Sequence, residues 1–155
     1  MNLPTDVYSP DQLSELTMEL RGYIGALRDT AIRNRSTTVA GEAALPKMSA
    51  LLKLIFENVS GTMTPEEVLR ELEMQLKNAP TAHVLLAAQP SKDLKRQIVL
   101  WFRVEVHPSV LLTFSERRDI GGGIVIRAGS HIYDFSFKRR ILDNKNRIME
   151  IAGVR

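Results

Sequence analysis

The fold of the C-terminal half is decided by one stretch, Gly121-Gly122-Gly123-Ile124-Val125-Ile126-Arg127-Ala128-Gly129-Ser130-His131-Ile132-Tyr133-Asp134. Residues 123–127 and 131–134 are rich in β formers, and Ala128-Gly129-Ser130 between them is typical of a tight hairpin turn that uses glycine at positive φ. The three leading glycines predict a bulge or a sharp turn into the hairpin, at a place where a Cβ would clash. They do not predict a phosphate loop, because no Gly-Lys-Ser/Thr follows and they lead into a strand.

A helix that carries many basic residues is predicted directly after the hairpin. The sequence Asp134-Phe135-Ser136 precedes Lys138-Arg139-Arg140, and helical residue types continue to Glu150. We expect Asp134 or Ser136 to accept the first free N–H groups of this helix, a role worth about 1 kcal/mol. The helix combines apolar with basic side chains, namely Ile141, Leu142, Ile148 and Met149 with Lys138, Arg139, Arg140, Lys145 and Arg147.

Upstream of the hairpin, the sequence predicts strands at 84–88 and 110–115. The segment 91–106 between them is ambiguous, because its first half is typical of a helix and 98–106 is rich in β formers. We predict a helix, since a β-α-β unit needs a crossover and since four large apolar residues would then share one face. These residues are Leu94, Ile98, Trp101 and Phe102.

Three amphipathic helices are predicted in the N-terminal half, at about 10–34, 46–60 and 64–79. The first begins at Ser9-Pro10-Asp11-Gln12 and the third at Thr64-Pro65-Glu66-Glu67, both of which are capping-box patterns with proline at the first helical position. The apolar stripe of the first helix consists of Leu13, Leu16, Leu20, Ile24 and Leu27. The predicted class is α+β, with a helical bundle over 1–80 and a small mixed sheet over 81–155. The stripes are most simply internal packing, and a groove for a partner helix is the alternative.

Composition limits the possible functions. The chain has 155 residues, 44% hydrophobic and 25% charged, and no cysteine, which fits a folded protein of a reducing compartment. Neither a signal peptide nor a membrane-spanning run is expected. Residues 1–90 hold 8 Lys and Arg against 11 Asp and Glu, and residues 91–155 hold 13 against 7, so the net charges are −3 and +6. A basic half can face nucleic acid, acidic lipid or an acidic protein, and charge alone does not choose.

The sequence offers no catalytic constellation. His83, His107 and His131 have no ligand partners at metal-binding spacing, and no histidine is placed as a base for Asp134 and Ser136. We therefore expect no cofactor, no metal and no small-molecule substrate. Nucleic-acid binding by the basic residues remains an alternative to protein binding.

From about His83 to Met149 the sequence resembles the δ subunit of rotary F-type ATP synthases, called OSCP in mitochondria. The order strand, helix, strand, glycine pair, hairpin and basic helix is similar. Gly122 and Gly123 match the glycine pair, Ile124 to Gly129 match the first hairpin strand with its Arg127 and Gly129, and Asp134-x-Ser136 matches an Asp-Gly-Ser turn. Phe135 departs from the usual glycine, and Arg117 stands where the family has an acid. The N-terminal part is shorter than is usual in the family.

The resemblance implies a non-catalytic stator subunit in the peripheral stalk, which links the α subunits of the catalytic head to the b subunit and resists torque. It implies a location on the cytoplasmic face of a bacterial plasma membrane, reached through the complex. The implied stalk-binding surface is the terminal helix, with Lys138, Arg140, Ile141, Leu142, Arg147, Ile148 and Met149. The implied α-binding surface is the first helix, with its stripe of Leu13, Leu16, Leu20, Ile24 and Leu27.

Overall fold

The computed structural model describes residues 3–36, 46–59, 63–145 and 147. The chain divides into two compact units, Met1–Ala79 and Pro80–Arg155. Within the described ranges there are helices at the N-terminus and then a four-stranded mixed sheet with two further α-helices, one between its first two strands and one after its last strand, which confirms the predicted α+β class. None of the described helices is long and apolar enough to cross a membrane.

The first unit contains helices α1 (Pro10–Ser36), α2 (Ala50–Val59) and α3 (Pro65–Asn78). Both predicted capping boxes form: Ser9 Oγ accepts the N–H of Gln12 at 3.2 Å, and Thr64 Oγ1 accepts the N–H of Glu67 at 3.3 Å. Helix α2 begins at Ala50, later than the predicted start at 46. The reason is that Ser49 Oγ accepts the N–H of Leu52 at 3.2 Å and so caps the helix at that point.

The core of the first unit is made by one apolar face from each helix. Its fully buried side chains are Val7, Leu13, Leu20, Leu52, Ile55, Val68 and Leu72. At the surface, Arg21 pairs with Glu73 at 2.6 Å and Arg28 with Glu66 at 3.5 Å, which joins α1 to α3. Because exposed ion pairs contribute little, the apolar core supplies most of the stability of this unit.

The second unit is built on a sheet of order β2-β1-β3-β4. Its elements are β1 (Thr81–Leu86), α4 (Lys92–Glu105), β2 (Leu111–Glu116), a 3₁₀ turn (Arg118–Ile120), β3 (Ile124–Ala128), β4 (His131–Asp134) and α5 (Phe137–Asp143). Strands β1 and β2 are parallel, whereas β3 is antiparallel to both β1 and β4. Helix α4 is the crossover between the parallel strands, so the helix predicted for 91–106 is confirmed.

The face that α4 turns to the sheet differs from the predicted one. Val99 and Phe102 are buried, but Leu94 is 42% exposed and Trp101 is 55% exposed. Lys95 lies on the sheet side instead, with Nζ 5.8 Å from the centroid of the Phe114 ring. The buried face of α4 therefore runs through Val99 and Phe102, and Lys95, one turn before Val99, makes a favourable contact with the Phe114 ring.

The glycines before the hairpin are required by close backbone approach. Gly122 and Gly123 have φ of 131° and 82°. A Cβ on Gly123 would lie 2.5 Å from the Phe135 carbonyl oxygen, and one on Gly122 would lie 2.6 Å from a ring carbon of Phe137. The predicted clash is therefore confirmed, and the residues after β4 pack directly against the residues before β3.

A substitution of Gly123→Ala tests this close approach. It adds strain at positive φ and a collision with backbone, so we expect the free energy of unfolding to fall by about 2 kcal/mol or more. Gly129→Ala is the matched control, because Gly129 also has positive φ but has open space around it, and about 1 kcal/mol is expected there. Trp101, the single tryptophan of the chain, reports denaturant unfolding of this unit by fluorescence. Equal losses in the two variants would contradict the close-packing interpretation.

Candidate protein-docking surface

The hairpin directs four side chains to the same face of the sheet. Val125 pairs with Asp134 and Arg127 pairs with Ile132 in the β3–β4 register. Since side chains alternate along a strand and directly paired residues share a face, these four residues lie together on one side. Val125 is buried, whereas Arg127, Ile132 and Asp134 are exposed. This face therefore has an apolar base and a polar, accessible edge.

Helix α5 is held against the end of the hairpin by Ser136. The Ser136 side chain is only 2% exposed, and its Oγ accepts the N–H of Arg139 at 3.2 Å, which makes it the helix N-cap. Asp134 Oδ1 accepts the N–H of Ser136 at 2.9 Å. Hydrogen bonding with the Ser136 side chain, and then with its backbone, lowers the pKa of the Asp134 carboxyl below its usual range. The expectation that Asp134 or Ser136 caps the helix is confirmed for Ser136, and Asp134 orders the turn before it.

A cleft lies between the hairpin face, the 3₁₀ turn and α5, with a volume of about 250 Å³. We call it the basic cleft, and its lining residues are Arg117, Asp119, Ile120, Val125, Arg127, Ile132, Asp134, Ser136, Lys138, Arg139 and Leu142. Ile120 and Val125 are 5% and 4% exposed and pack with Leu85, so the cleft stands on the core of the unit. Four cations and two carboxylates surround it.

The two carboxylates of the basic cleft are already satisfied by neighbouring groups. Arg117 donates to both oxygens of Asp119 at 2.8 and 3.0 Å. This contact lowers the pKa of Asp119 and raises that of Arg117. Asp134 accepts from Ser136, as described above. The cations that line the cleft are therefore only partly offset by its own acids.

Exposed large apolar side chains are concentrated in the second unit. Among the described residues, eleven of fourteen such side chains belong to it. Six of these lie close together in sequence, on β4, on α5 and on the connection between them, and they are Ile132, Tyr133, Phe135, Phe137, Ile141 and Leu142. Ile132 and Tyr133 are consecutive in β4 and so point to opposite faces of the sheet. Of the six, Ile132 and Leu142 line the basic cleft beside its cations, which makes the cleft a candidate docking surface.

Comparison with known families agrees with this architecture. Residues 26–148 match the family described as ATP synthase delta (OSCP) subunit, which is 123 of the 155 residues. The chain belongs to the ATP synthase delta (OSCP) subunit family. A member of this family is a structural subunit of the ATP synthase peripheral stalk, and ATP synthase is a membrane-associated complex. No curated protein sequence matches the chain significantly.

The family match also covers part of the N-terminal unit. It begins within α1 and includes all of α2 and α3, as well as the whole of the sheet and the basic cleft. The motifs that carry the sequence resemblance begin only at about His83, because the glycine pair and the hairpin are the most distinctive features of the chain. Helices that carry ordinary apolar stripes have no comparable signature, so the sequence alone does not indicate the N-terminal part of the match.

The residues predicted to bind the stalk lie at the surface where the structure describes them. Lys138, Arg140, Ile141, Leu142 and Arg147 are exposed, and Ile141 and Leu142 are 58% and 59% exposed. Ile148 and Met149 lie outside the described residues. The members of the family motif, Gly122, Gly123, Arg127, Gly129, Asp134 and Ser136, all belong to the hairpin and to its connections.

The residues predicted to bind α have a different environment. Leu13, Leu16, Leu20 and Ile24 are buried, and Leu27 is half-buried. Their side chains pack inside the first unit, so a partner could contact them only if the helices separated. The exposed face of α1 carries other residues, including Met18 at 70% and Ile32 at 63%.

Sequence reasoning did not find the basic cleft. Ile120 enters it from the 3₁₀ turn, and Arg117 and Asp119 pair across that turn, in a segment that the sequence indicated only as a charged turn. The alternation of β3 and β4 would have placed Arg127, Ile132 and Asp134 on one face. The position of α5 against that face depends on tertiary packing that periodicity does not report.

Within the described ranges, no group of three or more histidine and acidic side chains is arranged to hold a metal ion.

The depressed pKa of Asp134 leads to a testable pH dependence. Because its folded-state pKa is lowered, the stabilisation is complete above the unfolded-state pKa of about 4 and is lost as the pH falls through the folded-state pKa. Asp134→Asn keeps an acceptor for the Ser136 N–H but removes the charge. We expect the variant to be less stable than the wild type at pH 6 and to approach it below pH 3, measured by urea unfolding followed through Trp101. A stability difference that is constant over this range would contradict the assignment.

Proposed function

We propose that this subunit links the α subunits of the catalytic head to the b subunit of the peripheral stalk and resists torque during ATP synthesis. The observation that carries the proposal is the exposed apolar pair Ile132 and Leu142, which lines the basic cleft beside Lys138 and Arg139. Such a surface supports protein binding, since the apolar area gains free energy when covered and the charges fix the orientation.

The charge of the second unit supports an acidic or amphipathic protein partner. Residues 91–155 carry a net charge of +6, and the three basic residues at 138–140 of α5 lie between the exposed apolar residues Phe137 and Ile141. A partner helix with carboxylates flanking an apolar stripe would complement both features. The b subunit is the proposed partner at this surface.

Nucleic-acid binding is the second candidate, and the exposure of aromatic side chains favours it. Trp101 and Tyr133 are 55% and 51% exposed and could stack on bases. Against this, Asp119, Asp134 and Asp143 lie among the basic residues of the same surface, where a phosphate backbone would be repelled. A steep loss of affinity for RNA or DNA with rising salt would favour this candidate over the stator.

Two attachment sites on one chain would suit a permanent link. Once one end is bound, the other meets its partner at a high effective concentration, so two contacts of modest affinity give a stable assembly. Torque resistance then needs only that both contacts persist while the shaft turns. We place the α contact on α1 and the stalk contact on α5, one in each compact unit.

The α contact can be located with single cysteines, because the chain contains none of its own. With the helical stripe buried, we expect the exposed face of α1 to make this contact, so Met18→Cys should crosslink to α in solubilised membranes. Lys53→Cys on α2 is the matched exposed control. Mass spectrometry of the adducts is the measurement. An adduct with α from Lys53→Cys and none from Met18→Cys would move the contact away from α1.

The stalk contact can be tested by charge insertion. Ile141→Asp combined with Leu142→Asp places two carboxylates in the exposed apolar row of α5, so we expect recovery of b with the tagged chain to fall at least about tenfold, a factor that corresponds to about 1.4 kcal/mol. The matched control is Leu100→Asp combined with Val104→Asp, which alters similarly exposed apolar residues on α4.

Circular dichroism and Trp101 fluorescence would show that both double variants are folded. Retention of b by the α5 variant would place the stalk contact elsewhere. Equal loss of b in both double variants would show that α5 is not specifically required.

A further inference from the structure

We propose that the stalk partner binds in the basic cleft through an acidic amphipathic segment, with an apolar side chain between Ile132 and Leu142 and carboxylates on Arg127 and Lys138. This inference rests on the proposed stator function and specifies which side of α5 carries it. It assigns the contact to the side that faces the hairpin and not to the whole helix.

The apolar part of the cleft has the shape of a receptor for a side chain. Ile120 and Val125 are buried and form its base, while Ile132 and Leu142 remain 61% and 59% exposed on its walls. Exposed walls above a buried base leave apolar area that only an inserted group can cover. At about 250 Å³ the cleft accommodates one or two side chains and not a folded domain.

The charges of the cleft select for carboxylates. Asp119 is paired with Arg117, Arg139 donates to Asp143 at 3.0 Å, and Asp134 is held by Ser136. Among the described residues, no carboxylate lies within ion-pair distance of Arg127 or Lys138, although both line the cleft. These two cations are the groups that an acidic partner would neutralise.

A protein segment fits this combination better than a free polyanion does. Phosphate groups would meet Asp119 and Asp134 in the walls and would leave the apolar base uncovered. A protein segment with one large apolar residue and two acidic neighbours would cover the apolar base of the cleft and pair with the cations at its edge. Charge complementarity thus commits the cleft to an acidic protein partner.

Helix α5 gives the inference a sharp internal control, because its two sides differ. Lys138, Arg139 and Leu142 line the cleft, whereas Arg140 and Ile141 do not. Ile141 and Leu142 are adjacent, equally apolar and almost equally exposed. If the cleft is the contact, Leu142→Asp abolishes binding of the stalk partner and Ile141→Asp leaves it within about twofold of wild type.

The experiment uses the tagged full-length chain expressed in its native cells, with gentle solubilisation and quantitative mass spectrometry of the recovered ATP synthase subunits. Besides the two single variants, it compares two double variants. The cleft pair combines Arg127→Glu and Lys138→Glu, and the control pair combines Arg140→Glu and Lys145→Glu. Both double variants change the net charge equally. We expect recovery of the stalk subunit to fall at least tenfold for the cleft pair and to change less than twofold for the control pair.

The outcomes separate the cleft from the stator function. Loss of binding with Ile141→Asp and the control pair, but not with the cleft variants, would overturn the cleft and keep the stator. Recovery of no ATP synthase subunit with the wild-type chain would overturn both. If Leu142→Asp fails to fold by circular dichroism, the surface charge variants decide, since Arg127 and Lys138 are exposed and carry no core packing.

Discussion

The architecture of the second unit depends on one close approach, that of the chain after β4 to Gly122 and Gly123. Neither position has room for a side chain: one Cβ would meet the Phe137 ring and the other the Phe135 carbonyl. Two backbone hydrogen bonds fix this crossing, from Phe137 N–H to the Gly122 oxygen at 3.0 Å and from Phe135 N–H to the Ile124 oxygen at 2.9 Å. The segment between them carries Ser136, which is therefore buried. The start of α5 is determined by the glycine pair.

The basic cleft is a consequence of that crossing. Because Ser136 caps α5 from a buried position, Lys138 and Leu142 come to lie against the same hairpin face as Arg127 and Ile132. Strand register places the last two together, and the 3₁₀ turn supplies Ile120 below them. In the sequence the glycine pair indicates only a turn. In the structure it brings apolar and cationic side chains from the hairpin, the 3₁₀ turn and α5 together around one cleft. The glycine pair therefore positions the cleft without lining it.

Local rules predicted what is local in this fold. The capping boxes at Ser9 and Thr64, the tight hairpin and the crossover helix follow from side-chain chemistry and periodicity over a few residues. Errors arose where a long-range contact decided. In α4, packing against the sheet buries Val99 and Phe102, so Leu94 and Trp101 lie in solvent and Lys95 lies over the Phe114 ring. The start of α2 is a local exception, because the Ser49 side chain caps the helix three residues after the more visible Pro46. The cleft depends on the register of β3 and β4, on the 3₁₀ turn and on the position of α5 together. No periodicity in the sequence reports all three.

The two units differ in what they leave exposed, and this difference bears on how a stator could be built. In the first unit, the apolar stripe of α1 is buried. The surface ion pairs Arg21–Glu73 and Arg28–Glu66 join α1 to α3, and their charged groups remain in contact with water. The second keeps most of the exposed apolar residues, which would be costly for a protein that stays alone. Their retention is explained if a partner covers them in the assembled stalk. Apolar area then supplies affinity, and the cations supply orientation, so the contact can be both tight and directional.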